Sequence, residues 1–191
     1  VYTVARLGPE VDFADPAARA QTGPLLAALA QVEEPGHAGA PIGALGVANT
    51  VLNRRHWAAV GQLAAAHLVA DQPGDHPFNE QRLPRVRDKY FIQYILALLQ
   101  RLVTQRAIGR AGALLADDNP RVASALDDLR ADLLRFAVGG AFTQVSTRHA
   151  LHRYYRLARR GLDVPRAWSG VRRAVADIDA RLTQRRQGLV A

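Results

Sequence analysis

The chain contains no cysteine, which excludes disulfides, cysteine metal sites and a cysteine nucleophile. Methionine is also missing, even at position 1. Because VYTVARL reads as a strand already under way, sequence is expected to be missing before Val1, and further sequence is expected after Ala191. Lysine occurs once, at Lys89, so the 25 basic residues are otherwise arginine. Long apolar runs are lacking too. The longest, Tyr90–Leu99, is interrupted by Gln93 and is about half of the roughly 20 residues that a spanning helix needs. No signal peptide is visible. Nucleotide loops, the nucleophile elbow and the HExxH zinc motif have no counterpart, so no catalytic constellation is expected and the chain reads as non-enzymatic.

What is present is an ordinary globular composition in 191 residues, 49% hydrophobic and 22% charged, enough for one domain with a real core. The net charge of +8 is uneven. Residues 1–80 hold 4 Lys+Arg against 8 Asp+Glu, and residues 81–191 hold 21 against 9. The basic half reads as solvated helix faces, as a nucleic-acid surface or as a face held near anionic lipid.

Alternation in Val1–Leu7 predicts a strand. Asp15-Pro16 predicts a capped helix to about residue 34, interrupted at Pro24, with two shorter pieces as the alternative. The Gly/Pro/Ala stretch 35–47 reads as a flexible connection. Residues 48–70 fit either a helix or strands; HWAAV and AAHLVAD suit two strands turning near Gly61, and a strand at residue 1 needs partners. From Pro84 onward the chain reads as helical. One helix runs over about 84–115. A second, capped by Asn119, carries Val122, Leu126, Leu129, Leu133 and Phe136 and ends at Gly139-Gly140. A third is capped by Ser146 and stops at Gly161. The last starts at Pro165, with Val164, Trp168, Val171, Val175, Ile178 and Leu182 spaced 4, 3, 4, 3, 4. Such a seam belongs either to an antiparallel bundle or to a longer stalk. The expected class is therefore α+β, mainly α: an N-terminal α/β part over 1–76, then a helical bundle with a long C-terminal helix over 77–191. Tyr90, Phe91, Ile92, Tyr94, Ile95, Leu96 and Leu98 make the helix from 84 apolar all round, so it is expected to lie at the centre, covered on every side.

The candidate metal ligands are Asp71, Asp75 and His76, within His67-x3-Asp71-x3-Asp75-His76-x3-Glu80. Carboxylate and imidazole there could hold Mg2+ or another divalent cation, although Pro73-Gly74 breaks any helix among them and turn-forming carboxylates with a surface histidine are the competing reading. Tyr154-Tyr155, set among arginines in HRYYRLARR, either stack nucleic-acid bases or anchor a core.

The phrases PFNEQRLPRVRDKYFIQYILALLQRL, Phe136 followed by Phe142–Ser146, HRYYRLARRGLD and the seam helix after Pro165 together resemble CorA-like divalent-cation transporters over roughly residues 77–191. That resemblance implies the cytosolic portion of such a protein. The family's Gly-Met-Asn signature and two membrane helices have no counterpart here. It further implies a homo-oligomer, cytoplasmic and near the inner face of the membrane through segments beyond Ala191, whose regulatory cation sites use carboxylates at protomer interfaces; Asp177 and Asp179 lie on the corresponding kind of helix. The function expected is thus an oligomerising, regulatory, non-catalytic domain of a cation transport protein. The alternatives are a soluble helical protein–protein interaction module and, third, nucleic-acid binding through the basic half.

Overall fold

A computed structural model describes residues 1–31, 47–74, 76–117 and 122–188. The chain is α+β and mainly helical, as its patterning predicts. The expected connection over 35–47 lies almost wholly outside the described residues, as does the Asn119 cap.

The element order is β1 (Tyr2–Leu7), α1 (Pro16–Gln31), β2 (Ala48–Asn53), β3 (His56–Val60), β4 (Ala65–Ala70), α2 (Phe78–Ala116), α3 (Val122–Gly139), α4 (His149–Gly161) and α5 (Val164–Gly188). Two compact units form. Unit 1 comprises Val1–Leu98 and Gln144–Asp163; unit 2 comprises Leu99–Thr143 and Val164–Ala191. The division falls within α2 and not near residue 77, so the first half of α2 and all of α4 belong with the sheet.

In unit 1 the strands form one sheet in the order β1-β4-β3-β2. β1 runs parallel to β4; the other pairs are antiparallel. Residues 48–70 are thus strands. HWAAV and AAHLVA are buried along their whole length, as expected of strands covered on both faces, and this explains their unbroken apolar character. One face carries Ala5, Leu7, Trp57, Ala59, Ala66, Leu68 and Ala70, packed with Phe13 and with Leu26 and Ala30 of α1.

Asp15 caps α1 through its Oδ1, which accepts the Ala17 N–H at 2.9 Å. Pro24 does not divide this helix, contrary to expectation: Pro16–Gln31 is continuous. A proline forfeits one internal hydrogen bond, and burial of Leu26, Ala27, Ala28 and Ala30 against the sheet holds the helix through that loss. Helix α2 likewise begins six residues before Pro84 and runs through it.

The opposite sheet face carries Tyr2, Val4, His56, Ala58, His67 and Val69. Tyr90 and Tyr94 of α2 and Tyr154 of α4 meet its aromatic rings. The expectation that α2 is covered on every side does not hold. Tyr94 and Ala97 are buried, but Phe91 is 41% and Ile92 57% exposed. The run of bulky residues turns only one stripe inward; helical geometry sends the others outward.

Helix α4 ends where expected, for a different reason. Gly161 lies against β3 so closely that a Cβ there would run into the Val60 carbonyl. The left-handed residue of the turn is Asp163, at φ 55°. Ser146 is not the N-cap; that position is Arg148, whose N–H is accepted by the Ser146 Oγ at 3.1 Å.

Unit 2 packs the second half of α2 with α3 and α5. Its core joins Ala107 and Ala111 to Val122, Leu126, Leu129 and Leu133, and to Val171, Ala174, Ile178 and Leu182. The regular seam of α5 is therefore spent inside this bundle. Arg130 of α3 pairs with Asp179 of α5 at 2.7 Å, and the Phe136 and Trp168 rings stack with centroids 5.6 Å apart. The Gln100 Nε2 donates to the carbonyls of Gly140 and Phe142, tying the loop after α3 to α2.

Candidate functional site

The metal ligands expected from the sequence do not come together as a site. Asp71 is engaged by Arg6, whose Nε donates to both carboxylate oxygens at 2.9 Å. The His76 Nδ1 accepts the Phe78 N–H at 3.1 Å, and its side chain faces solvent. Asp75 lies outside the described residues. Among the described residues, no group of three or more His, Asp or Glu side chains is placed to hold a metal ion. Asp179 is held by Arg130, and Asp177 is exposed on α5. Tyr154 and Tyr155 are both fully buried and serve as core anchors, not as a base-stacking surface.

Two other features of unit 1 gather chemistry. The first lies between the sheet and the helices α2 and α4. His56 of β3 and His67 of β4 are diagonal neighbours on one sheet face, and the His56 Nε2 and His67 Nδ1 are 2.8 Å apart. One ring must carry the shared proton and the other accept it, and burial keeps both rings neutral near neutral pH. Burial pushes His56 down to about 3, aided by the nearby charge of Arg82. Burial also holds His67 well below the usual imidazole value, with His56 adding to the effect. Around the pair stand Tyr2, Tyr90 and Tyr154, with centroids 4.7 to 5.6 Å from an imidazole. Burial raises the pKa of the Tyr154 phenol. The hydroxyls of Tyr2 and Tyr154 influence each other's ionisation, yet the Tyr154 hydroxyl and the His67 Nε2 are buried without a hydrogen-bond partner. A buried group that cannot charge is a poor general base near neutral pH.

The second feature opens beside this cluster. A cavity of about 270 Å³ is lined by Asn53, His56 and Val69 of the sheet, by Phe78, Arg82, Arg85, Val86, Lys89 and Tyr90 of α2, and by Arg148, Ala150 and Leu151 at the start of α4. Four of these side chains are cationic and none is a carboxylate. Phe78, Arg82, Arg85 and Lys89 follow one another at spacings of 4, 3 and 4, which puts them on one helix face. Arg85 lies over the Phe78 ring, its guanidinium carbon 4.5 Å from the centroid, and donates to Gln81 Oε1 at 2.7 Å. Arg82 donates to the Ala70 carbonyl, and its partial burial lowers its pKa.

The fourth cation sits where helix electrostatics disfavours it. Arg148 is the N-cap of α4 and makes no side-chain cap. Helix N-termini carry partial positive charge and attract anions. The first internal bond is the His152 N–H to the Arg148 carbonyl at 3.0 Å, so the helix offers no acceptor to the N–H groups of His149, Ala150 and Leu151. Positive potential from four side chains and one helix terminus thus converges on one half-apolar cavity. An arrangement of this kind binds anions.

None of these lining residues is among the site candidates read from the sequence; the α2 half does leave a signal there, the 4, 3, 4 spacing of Phe78, Arg82, Arg85 and Lys89. Arg148, almost sixty residues further on, carried no signal that would join it to the others. Compared with protein-family models, with curated proteins and with solved structures, the chain matches none.

Proposed function

We propose that this chain is a non-catalytic binding and regulatory module whose unit 1 cavity takes an anionic ligand. The observation that carries this reading is the convergence of Arg82, Arg85, Lys89 and Arg148 on one cavity whose lining, among the described residues, contains no carboxylate. Like charges gathered around one cavity repel, and a bound anion relieves that repulsion. The polar and apolar walls together give a concave site with a few fixed charges, the usual build of a small-ligand site.

Thermal unfolding of the chain with inorganic pyrophosphate, against sodium chloride at matched ionic strength, tests it. A ligand that binds only the native state at 100 times its Kd stabilises by about 2.7 kcal/mol. The melting temperature is expected to rise with pyrophosphate, and the rise to vanish in a Lys89→Gln/Arg148→Gln variant. Equal effects of the two salts on the parent chain would end this reading.

A second reading keeps the CorA-like resemblance: a cytoplasmic, homo-oligomeric regulatory domain of a cation transport protein, responding to magnesium. Its support in the structure is an apolar edge of α2 in unit 2, where Leu99 and Leu102 are about half exposed and Val103 is 39% exposed. Among the described residues no helix is long and apolar enough to cross a membrane. Light scattering with and without ~10 mM magnesium, enough to fill even a weak calcium-type or sensor-type site, decides it. An oligomer whose mass or melting temperature responds to the ion supports it, and a monomer indifferent to magnesium removes it.

A further inference from the structure

Given the anion site proposed above, we infer that its ligand is a phosphomonoester of a compact apolar or aromatic body, with the phosphate between Lys89 and Arg148 at the start of α4 and the body against Val69, Val86 and Tyr90.

Two of the four cations are already engaged: Arg82 by the Ala70 carbonyl and Arg85 by Gln81 and the Phe78 ring. Lys89 and Arg148 stand exposed on α2 and α4 respectively and have no ion pair among the described residues. Two unmatched positive charges call for a ligand group of about two negative charges. A phosphomonoester carries about −1.5 to −2 at neutral pH and three acceptor oxygens, whereas a single carboxylate leaves one cation unmatched. The first-turn N–H groups of α4 supply donors of the kind that phosphate oxygens accept.

Size and wall chemistry give the rest. The cavity, at about 270 Å³, lies just below the roughly 300–1,000 Å³ typical of small-molecule sites. It is therefore larger than a bare phosphate needs. Val69, Phe78, Val86, Tyr90, Ala150 and Leu151 make half of its lining apolar. Apolar wall left against water is stabilised only when an apolar group covers it. Inorganic phosphate would leave that wall wet; an ester with a small ring would cover it.

Calorimetric titration of the full chain at pH 7.5, in buffer free of phosphate and sulfate, tests the assignment with four probes: phenyl phosphate, methyl phosphate, inorganic phosphate and phenol. Phenyl phosphate is expected to bind at least about tenfold more tightly than inorganic phosphate, methyl phosphate to fall between them, and phenol not to bind. The Lys89→Gln/Arg148→Gln variant changes only exposed side chains, so it should fold, and it should weaken phenyl phosphate at least tenfold. Equal affinity for phenyl and inorganic phosphate, both lost in the variant, would overturn the ester while leaving the anion site standing. Phenyl phosphate binding untouched by the variant would overturn the placement in this cavity. No binding of any anion would remove both.

The same phosphomonoester chemistry occurs free or on a membrane as phosphatidic acid. Co-sedimentation with phosphatidylcholine vesicles containing phosphatidic acid separates the sources. Sedimentation that phenyl phosphate competes away identifies the lipid headgroup. Phenyl phosphate binding without sedimentation identifies a free ester.

Discussion

The His56 Nε2 and the His67 Nδ1 meet at 2.8 Å on the face of the sheet that α2 and α4 cover, each ring almost wholly buried. Two imidazoles this close, in this little water, cannot both be protonated without a large desolvation and repulsion penalty. The pair therefore acts as one neutral polar strut through the core of unit 1, and its protonation is coupled to folding.

That coupling sets the first prediction. Both histidines titrate lower in the native chain than the ordinary 6.5, with His56 near 3. Below pH 6.5 the unfolded chain consequently binds more protons than the native one. Stability should be fully present above about pH 6.5 and be lost as pH falls from there toward 3. Each buried neutral histidine steepens the decline by up to about 1.4 kcal/mol per pH unit. Urea midpoints measured from pH 8 to pH 4 should show this slope. Replacing both partners with apolar rings of similar shape removes the buried polar pair together, so His56→Phe/His67→Phe should fold and have a flatter profile. An unchanged slope in that variant would mean that the acid sensitivity arises elsewhere.

A second prediction concerns Gly161. Its Cα approaches β3 so closely that a Cβ has no room beside the Val60 carbonyl. The obstacle is backbone of a central strand, which cannot swing aside as a side chain can. Gly161→Ala should destabilise by about 1–3 kcal/mol, the usual range for overpacking, despite alanine's better helix propensity. The urea midpoint should fall with little change in its slope. A neutral or stabilising outcome would show that α4 can shift away from the sheet.

How far the sequence anticipates this molecule depends on whether a feature is local. The seam of α5 and the 4, 3, 4, 3 spacing of Val122, Leu126, Leu129, Leu133 and Phe136 repeat within single helices, so those helices are legible. The strands at HWAAV and AAHLVA were recognisable because β-branched and aromatic residues flank a glycine turn. Their alanine content, which suits a helix as well, was what left the alternative open. NTVLN gave little warning of becoming an edge strand. Pro24 and Pro84 misled, since a local rule about proline does not know how much apolar surface the rest of the helix buries. The site was less legible still. Phe78, Arg82, Arg85 and Lys89 mark a helix face, but only the fold brings Arg148 and His56 to that face. The Asp71–Asp75–His76 grouping looked chemical because its members are near in sequence, whereas Asp71 is turned to Arg6 of β1, a partner 65 residues away.

The last prediction separates a seam used inside the bundle from one held for a partner. Ile178 is fully buried, in one core with Leu126, Leu129 and Leu133 of α3. If α5 completes this core within a single chain, Ile178→Ala should cost about 2–5 kcal/mol through lost burial and the cavity left behind. The loss should be the same at low and high protein concentration, because no association step enters the unfolding equilibrium. Val138, near the end of α3, is 92% exposed, and Val138→Ala should change stability by no more than about 0.5 kcal/mol. Unfolding of both variants, followed by circular dichroism over a hundredfold range of concentration, gives the comparison. A midpoint for Ile178→Ala that climbs with concentration would return the seam to an interface between chains. A concentration-independent loss confined to Ile178→Ala fixes it as the intramolecular joint of α3 and α5.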